Sequence, residues 1–162
     1  MVTGIVIPHE TNIQVFAHEF TGLTSYQTAV GGYIEPVQIE HPPMTIFANE
    51  EGKMQRLPVN RRATCLWWLL SPSARGHDVL VGDIALVGTL ANRSSEIDLP
   101  PEFVGLLTRT ANFKIEVQTE FEPWNWLSNQ ARFASYFDAA IYAINLAGRW
   151  TQIRDIRVVE AD

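Results

Sequence analysis

The chain has 162 residues, 46% hydrophobic and 19% charged, with a formal net charge of −6 and a single cysteine, Cys65. A chain of this length buries roughly 70% of its unfolded surface and folds without disulfide or metal; the lone cysteine excludes an internal disulfide and fits a reducing cytosol. The acid excess argues against direct nucleic-acid binding, no apolar run is long enough to span a membrane, and MVTGIVIPHE lacks the pattern of a signal peptide.

Two short β-branched and aromatic runs, residues 3–8 and 12–17, read as strands joined by the polar link His9–Asn12. His18 follows them as an expected surface residue. Residues 24–30 (TSYQTAV) read as a helix with a Thr24/Gln27 capping box, ended by Gly31-Gly32. YIEPVQI (33–39) is the next expected strand, with Glu35 on one face and Pro36 marking an edge or a bulge. MTIFAN (44–49) continues into the turn Glu50-Glu51-Gly52-Lys53, and 54–57 is the expected partner strand of a hairpin.

Asn60 is placed to cap a helix over about 61–70, with Ala63, Leu66, Trp67 and Leu70 at core spacing and Cys65 against that core. VLVGDIALVG (79–88) is the most apolar segment and the expected central strand. Asp83 interrupts it, either at a bulge where it accepts backbone N–H bonds or in a functional pocket. Residues 89–102, including Asn92, Arg93 and Ser94, read as a polar loop, and 103–108 as a strand or a short helix. FKIEVQTEF (113–121) alternates as a strand, and 122–133 is a connector carrying Trp124 and Trp126. Ser135 and Asp138 form an S-x-x-D box before a helix to about Ala147, with Gly148 as its C-cap and residues 151–160 as a final strand.

The expected architecture is α+β: a mixed, mostly antiparallel sheet with about three helices and a C-terminal β-α-β segment. Residues 1–110 are expected to form one α+β domain, with 111–162 an extension packed on the same core.

The motifs GGYIE (31–35), NEEGK (49–53), L-P-x-N-x-x-A-T (57–64) and G-D-x-x-L-V-G (82–88) occur in that order. Over roughly residues 3–108 the chain resembles a family of uncharacterised domains found mainly in bacteriophages, plasmids and actinobacterial genomes. The resemblance implies a mobile-element origin and a bacterial host cytosol as the location. It implies no catalytic chemistry.

No nucleophile elbow, P-loop or dinucleotide fingerprint is present, and His9, His18, His41 and His77 lack zinc spacing. Glu35, Glu50, Glu51 and Asp83 are candidates for a hard-metal or acid–base cluster if they converge. Lys53, Arg56, Arg61 and Arg62 form a local basic patch. Cations in the first turn of a helix oppose its dipole, so Arg61 and Arg62 point either to a bound anion or to pairing with Glu50, Glu51 or Asp83.

The expected ligand-binding set is Tyr33, Glu35, Asn49, Glu50, Asn60, Arg61, Arg62 and Asp83, with no catalytic residue, metal or cofactor assigned. Ranked first is a non-enzymatic accessory protein that binds a host protein or a small nucleotide signal and so counters host defence. The alternatives are a small metal-dependent nucleotide hydrolase and an acidic DNA mimic that inhibits a host enzyme. No membrane partner is expected, and the tryptophan connector is a candidate surface for homo-oligomerisation.

Overall fold

The structure is a computed structural model that describes residues 1–90 and 95–162. It divides into two compact units, Met1–Thr108 and Arg109–Asp162.

In the first unit, strands β1 (Val2–Ile7), β2 (Phe16–Phe20), β3 (Ile34–Ile39), β4 (Met44–Asn49) and β5 (Ile84–Thr89) form a sheet in the order β2-β1-β5-β4-β3, and the short β6 (Glu96–Ile97) pairs with β5. The sheet is antiparallel, as mostly expected, and among the described residues no parallel pair makes it mixed. The helices are α1 (Leu23–Val30), α2 (Arg61–Leu70) and α3 (Pro101–Thr108), with a short 3-10 turn at Pro72–Ala74.

Side chains alternate across a strand, and register aligns them into two layers. Ile5 and Ile7 stand opposite Leu86 and Ile84, and Leu86 also opposes Ile46; all five are fully buried on one face. On the other face Val6, Phe47, Ala85, Val87 and Phe20 pack with Tyr26 of α1. Phe20 and Tyr26 stack with centroids 4.6 Å apart, and Phe47 follows at 4.5 Å. Both faces of β4 and β5 are therefore covered, as their uninterrupted apolar sequences require.

Several local expectations hold. Gly31 ends α1 at φ 77°, in the left-handed conformation, and its N–H reaches the Gln27 carbonyl at 2.8 Å. Asn60 caps α2 by accepting from the Ala63 N–H. Other expectations fail for identifiable reasons.

The second strand begins at Phe16 rather than residue 12, because the carbonyls of Pro8, Glu10 and Ile13 all accept bonds from the Arg62 guanidinium. Backbone acceptors held by a side chain are diverted from a sheet ladder. The Thr24/Gln27 box is replaced by Ser25, whose hydroxyl accepts from the Thr21 N–H and donates to the Gly22 carbonyl. Residues 54–57 form no strand. Leu57 N–H returns to the Gly52 carbonyl at 2.9 Å, and β4 is paired on both sides by β3 and β5.

The expected central strand is shortened to its second half. Leu80 is held by Asn60 and Thr64, the Gly82 N–H donates to the Pro58 carbonyl, and Gly82 turns the chain at φ 72°. A side chain at Gly82 would also strike Leu57. Residues 103–108 fall in helix α3, which opens on Pro101, where a missing N–H costs nothing. Asn92, Arg93 and Ser94 lie outside the described residues.

The second unit orders β7 (Phe113–Thr119), β8 (Leu127–Ser128), α4 (Tyr136–Arg149) and β9 (Ile153–Glu160) into an antiparallel β8-β7-β9 sheet with one helix. The strand–helix–strand order is as expected, but β7 and β9 run antiparallel and a third strand lies in the connector. Phe113, Ile115, Val117, Ile156 and Val158 are buried, as are Phe137, Ala140, Ala143 and Ile144 of α4. Ser135 caps α4 by accepting from the Asp138 N–H, as the S-x-x-D spacing predicts; the helix runs on past Gly148 to Arg149. On the polar side Arg157 lies over Trp126, 3.9 Å from the ring centroid, and donates two bonds to one Glu116 oxygen. Among the described residues the two units hold four α-helices, and no helix is long and apolar enough to cross a membrane.

Two measurements test this packing. Asn60→Ala removes a helix cap and strands two buried carbonyls, so urea denaturation should show a loss of roughly 3 kcal/mol. Burial, reinforced by Glu96, pushes the Tyr26 hydroxyl up to about 12. The folded state therefore holds its proton more tightly than the unfolded chain. That contribution is complete below about pH 10 and is lost as pH rises toward 12. Tyr26→Phe should flatten the alkaline decline in stability across that window.

Candidate functional site

The N-terminal part of α2 organises its surroundings through three side chains spaced two residues apart. Asn60, with no exposed surface, donates from Nδ2 to the carbonyls of Ile7 (2.8 Å) and Gly82 (2.9 Å), while its backbone N–H bonds the Leu80 carbonyl. Arg62 Nη2 gathers the carbonyls of Pro8, Glu10 and Ile13 at 2.7–2.9 Å. Thr64 Oγ1 accepts from the Leu80 N–H at 3.0 Å. The ends of β1 and of the 80–83 segment are thereby brought together, and His9 meets Asp83.

The Asp83 Oδ1 atom accepts from the His9 backbone N–H at 2.9 Å and contacts the His9 ring Nδ1 at 2.8 Å. With a carboxylate as acceptor, Nδ1 carries the proton and Nε2 faces outward, 3.9 Å from Glu10. The structural reading of Asp83 holds in part. It satisfies a backbone N–H beside the Gly82 turn, and it also lines a groove.

That groove has a volume of about 420 Å³ and lies between α1 and the segment leading into β2. Val6, Pro8, Ile13, Phe16 and Ala29 supply its apolar walls; His18, Ser25, Thr28 and Asp83 supply its polar groups. The Thr28 hydroxyl donates to the Thr24 carbonyl, as that of Ser25 does to Gly22, so these groups face a ligand as acceptors. The His18 ring sits edge-on between Phe16 and Phe20, with centroids 6.3 and 4.9 Å away. Among the described residues neither lysine nor arginine lines the groove. An apolar cleft with a few convergent polar groups is the usual form of a small-molecule site.

Of the eight residues expected to bind ligand, only Asp83 lines this groove. Asn60 and Arg62 are buried and hold backbone rather than facing solvent. Tyr33, Glu35, Asn49 and Glu50 gather at the β3–β4 hairpin, where the Glu50 N–H bonds the Tyr33 carbonyl and Glu35 stands opposite Ala48. Asn49 is buried, accepting from the Glu51 N–H and donating to the Val30 carbonyl, whereas Tyr33 is 66% exposed. Arg61 is exposed on α2.

The expected carboxylate cluster does not assemble: among the described residues no three His, Cys, Asp or Glu side chains form a metal-binding group. The basic patch is divided as well, since Lys53 pairs with Asp78 and holds that carboxyl below its ordinary range. Burial pushes the Cys65 thiol up, against the opposing pull of Arg61, which disfavours a reactive thiolate.

His9, His18, Phe16, Ser25 and Thr28 were not in the expected set. Phe16 and His18 share a face of β2 at i, i+2 and Ser25 and Thr28 a face of α1 at i, i+3, but no pattern in the sequence links those two elements to each other or to His9.

The family model for a domain of unknown function, DUF3846, matches residues 2–112. The chain belongs to that family. The match spans the whole first unit, including the groove and the α2 junction, and reaches only the opening residues of the second. Comparison with curated proteins and comparison with solved structures each found no match.

Arg62→Ala should release the 8–13 segment at a cost of about 3 kcal/mol, because three carbonyls lose a charged donor. Hydrogen exchange should rise most steeply at the amides of residues 9–16, more than at those of β3 and β4.

Proposed function

We propose that this DUF3846 protein is a binding module that captures a small molecule in the groove between α1 and β2. The observation that carries this reading is the groove itself: apolar walls, a few polar groups at fixed positions, and a carboxylate held in place by the His9 backbone. Its volume suits a small organic ligand.

The biological setting we propose is a phage or other mobile element, acting in the cytosol of a bacterial host. There the protein withholds a signal molecule on which host defence depends. This setting rests on the motif resemblance. A nucleotide signal fits the groove only by its base, since among the described residues no lysine or arginine lines the walls to receive phosphate.

Mass spectrometry of small molecules released on denaturing the purified protein tests the reading. We expect one species in near-stoichiometric amount from the native sequence, and none from Thr28→Trp, which places an indole over the groove from an exposed helix position. Release of nothing, with no calorimetric heat from nucleosides, cyclic nucleotides or ADP-ribose derivatives, would overturn it.

A further inference from the structure

We propose that the groove selects a cationic nitrogen: its ligand class is a primary amine carried on an apolar body, and Asp83 is the residue that determines this specificity. The inference rests on the groove being a ligand site and adds the chemistry of what enters it.

Four observations point the same way. Among the described residues Asp83 supplies the only carboxylate of the lining and no lysine or arginine belongs to it; the Arg62 guanidinium is engaged by the Pro8 and Ile13 backbone carbonyls. The hydrogen bonds Asp83 makes among the described residues, to the His9 N–H and to the His9 ring, both fall on Oδ1, which leaves Oδ2 for a ligand. The Ser25 and Thr28 hydroxyl protons are engaged by helix carbonyls, so these side chains offer lone pairs. Besides the His18 ring, the remaining walls are Val6, Pro8, Ile13, Phe16 and Ala29, which favour a hydrocarbon or aromatic body and lower the local dielectric.

One carboxylate with two hydroxyl acceptors, beside the His18 imidazole, favours an N–H donor with positive charge over carboxylates and phosphates. The Phe16 and His18 rings add aromatic surface on the β2 side for the ligand's body. The His9 backbone N–H holds the carboxylate in place, so its geometry exists before the ligand arrives. His9 is thus a positioning residue; Asp83 makes the contact.

The test uses the full-length protein and three matched probes: 2-phenylethylamine, 2-phenylethanol and phenylacetate. Binding is followed by amide chemical-shift changes and by calorimetry at neutral pH. The expected result is that the amine binds, shifting Val6, Ser25, Thr28 and Ala29. The alcohol should bind about tenfold or more weakly, and the acid should not bind. Asp83→Asn keeps an oxygen to accept the His9 N–H but removes the charge. It should reduce amine affinity about tenfold while leaving the alcohol unchanged, with an otherwise native amide spectrum. Thr28→Trp should abolish binding of the amine and the alcohol alike.

Equal binding of amine and alcohol, or amine binding unaffected by Asp83→Asn, would overturn the charge selection and leave the groove a ligand site. Amine shifts confined to residues outside the groove would also overturn it. Binding by none of the three probes, together with a species released from the native protein, would overturn the amine assignment and leave the small-molecule reading standing. If none of the probes binds, nothing is released, and nucleosides, cyclic nucleotides and ADP-ribose derivatives give no heat, both fall.

Discussion

The bond set of Asn60 is the constraint on which the first unit depends. One fully buried amide serves as helix cap, as donor to the last residue of β1, and as donor to the glycine before Asp83. Its backbone N–H and carbonyl are also paired, with Leu80 and Thr64. A buried polar side chain is costly when it is only partly satisfied and specifying when it is fully satisfied. Here the complete satisfaction of one residue fixes where α2 starts relative to two strands that are far apart in sequence.

The groove follows from that junction. Asn60 sets Ile7 beside Gly82, which brings His9, two residues beyond Ile7, into contact with Asp83, the residue after Gly82. Arg62 then holds the 8–13 segment away from the sheet by its own carbonyls, so Ile13 becomes wall rather than strand. An arginine in the first turn of a helix is unfavourable against the dipole. Three carbonyl acceptors at hydrogen-bond distance offset that cost and explain why the residue is there. The positive charge is satisfied by backbone, and the groove it helps to shape carries a carboxylate.

Legibility in the sequence divided along a physical line. The caps at Asn60 and Ser135, the left-handed glycine at position 31 and the alternation of 113–119 were readable, because each depends on residues within one turn or one pleat of each other. The role of Asp83 was half readable: an acid inside an apolar run marks a special position. Arg62 was misleading, because its exposed-looking place in a helix start gives no sign of carbonyls some fifty residues earlier. The Glu35, Glu50, Glu51 and Asp83 cluster, conditional on their converging, does not assemble: Glu35 and Glu50 lie on the β3–β4 hairpin, whereas Asp83 leads into β5 and is held by His9.

The sequence by itself determined the α+β class, most helix and strand positions and the family of residues 2–112. The first two rest on local propensity and periodicity, the third on the family-model match. Tertiary structure decided the strand order, the all-antiparallel pairing, the later start of β2 and the place of the groove. Those depend on side-chain-to-backbone bonds such as Asn60 to Ile7 and Arg62 to Pro8, which join segments more than fifty residues apart and leave no periodic trace in either one.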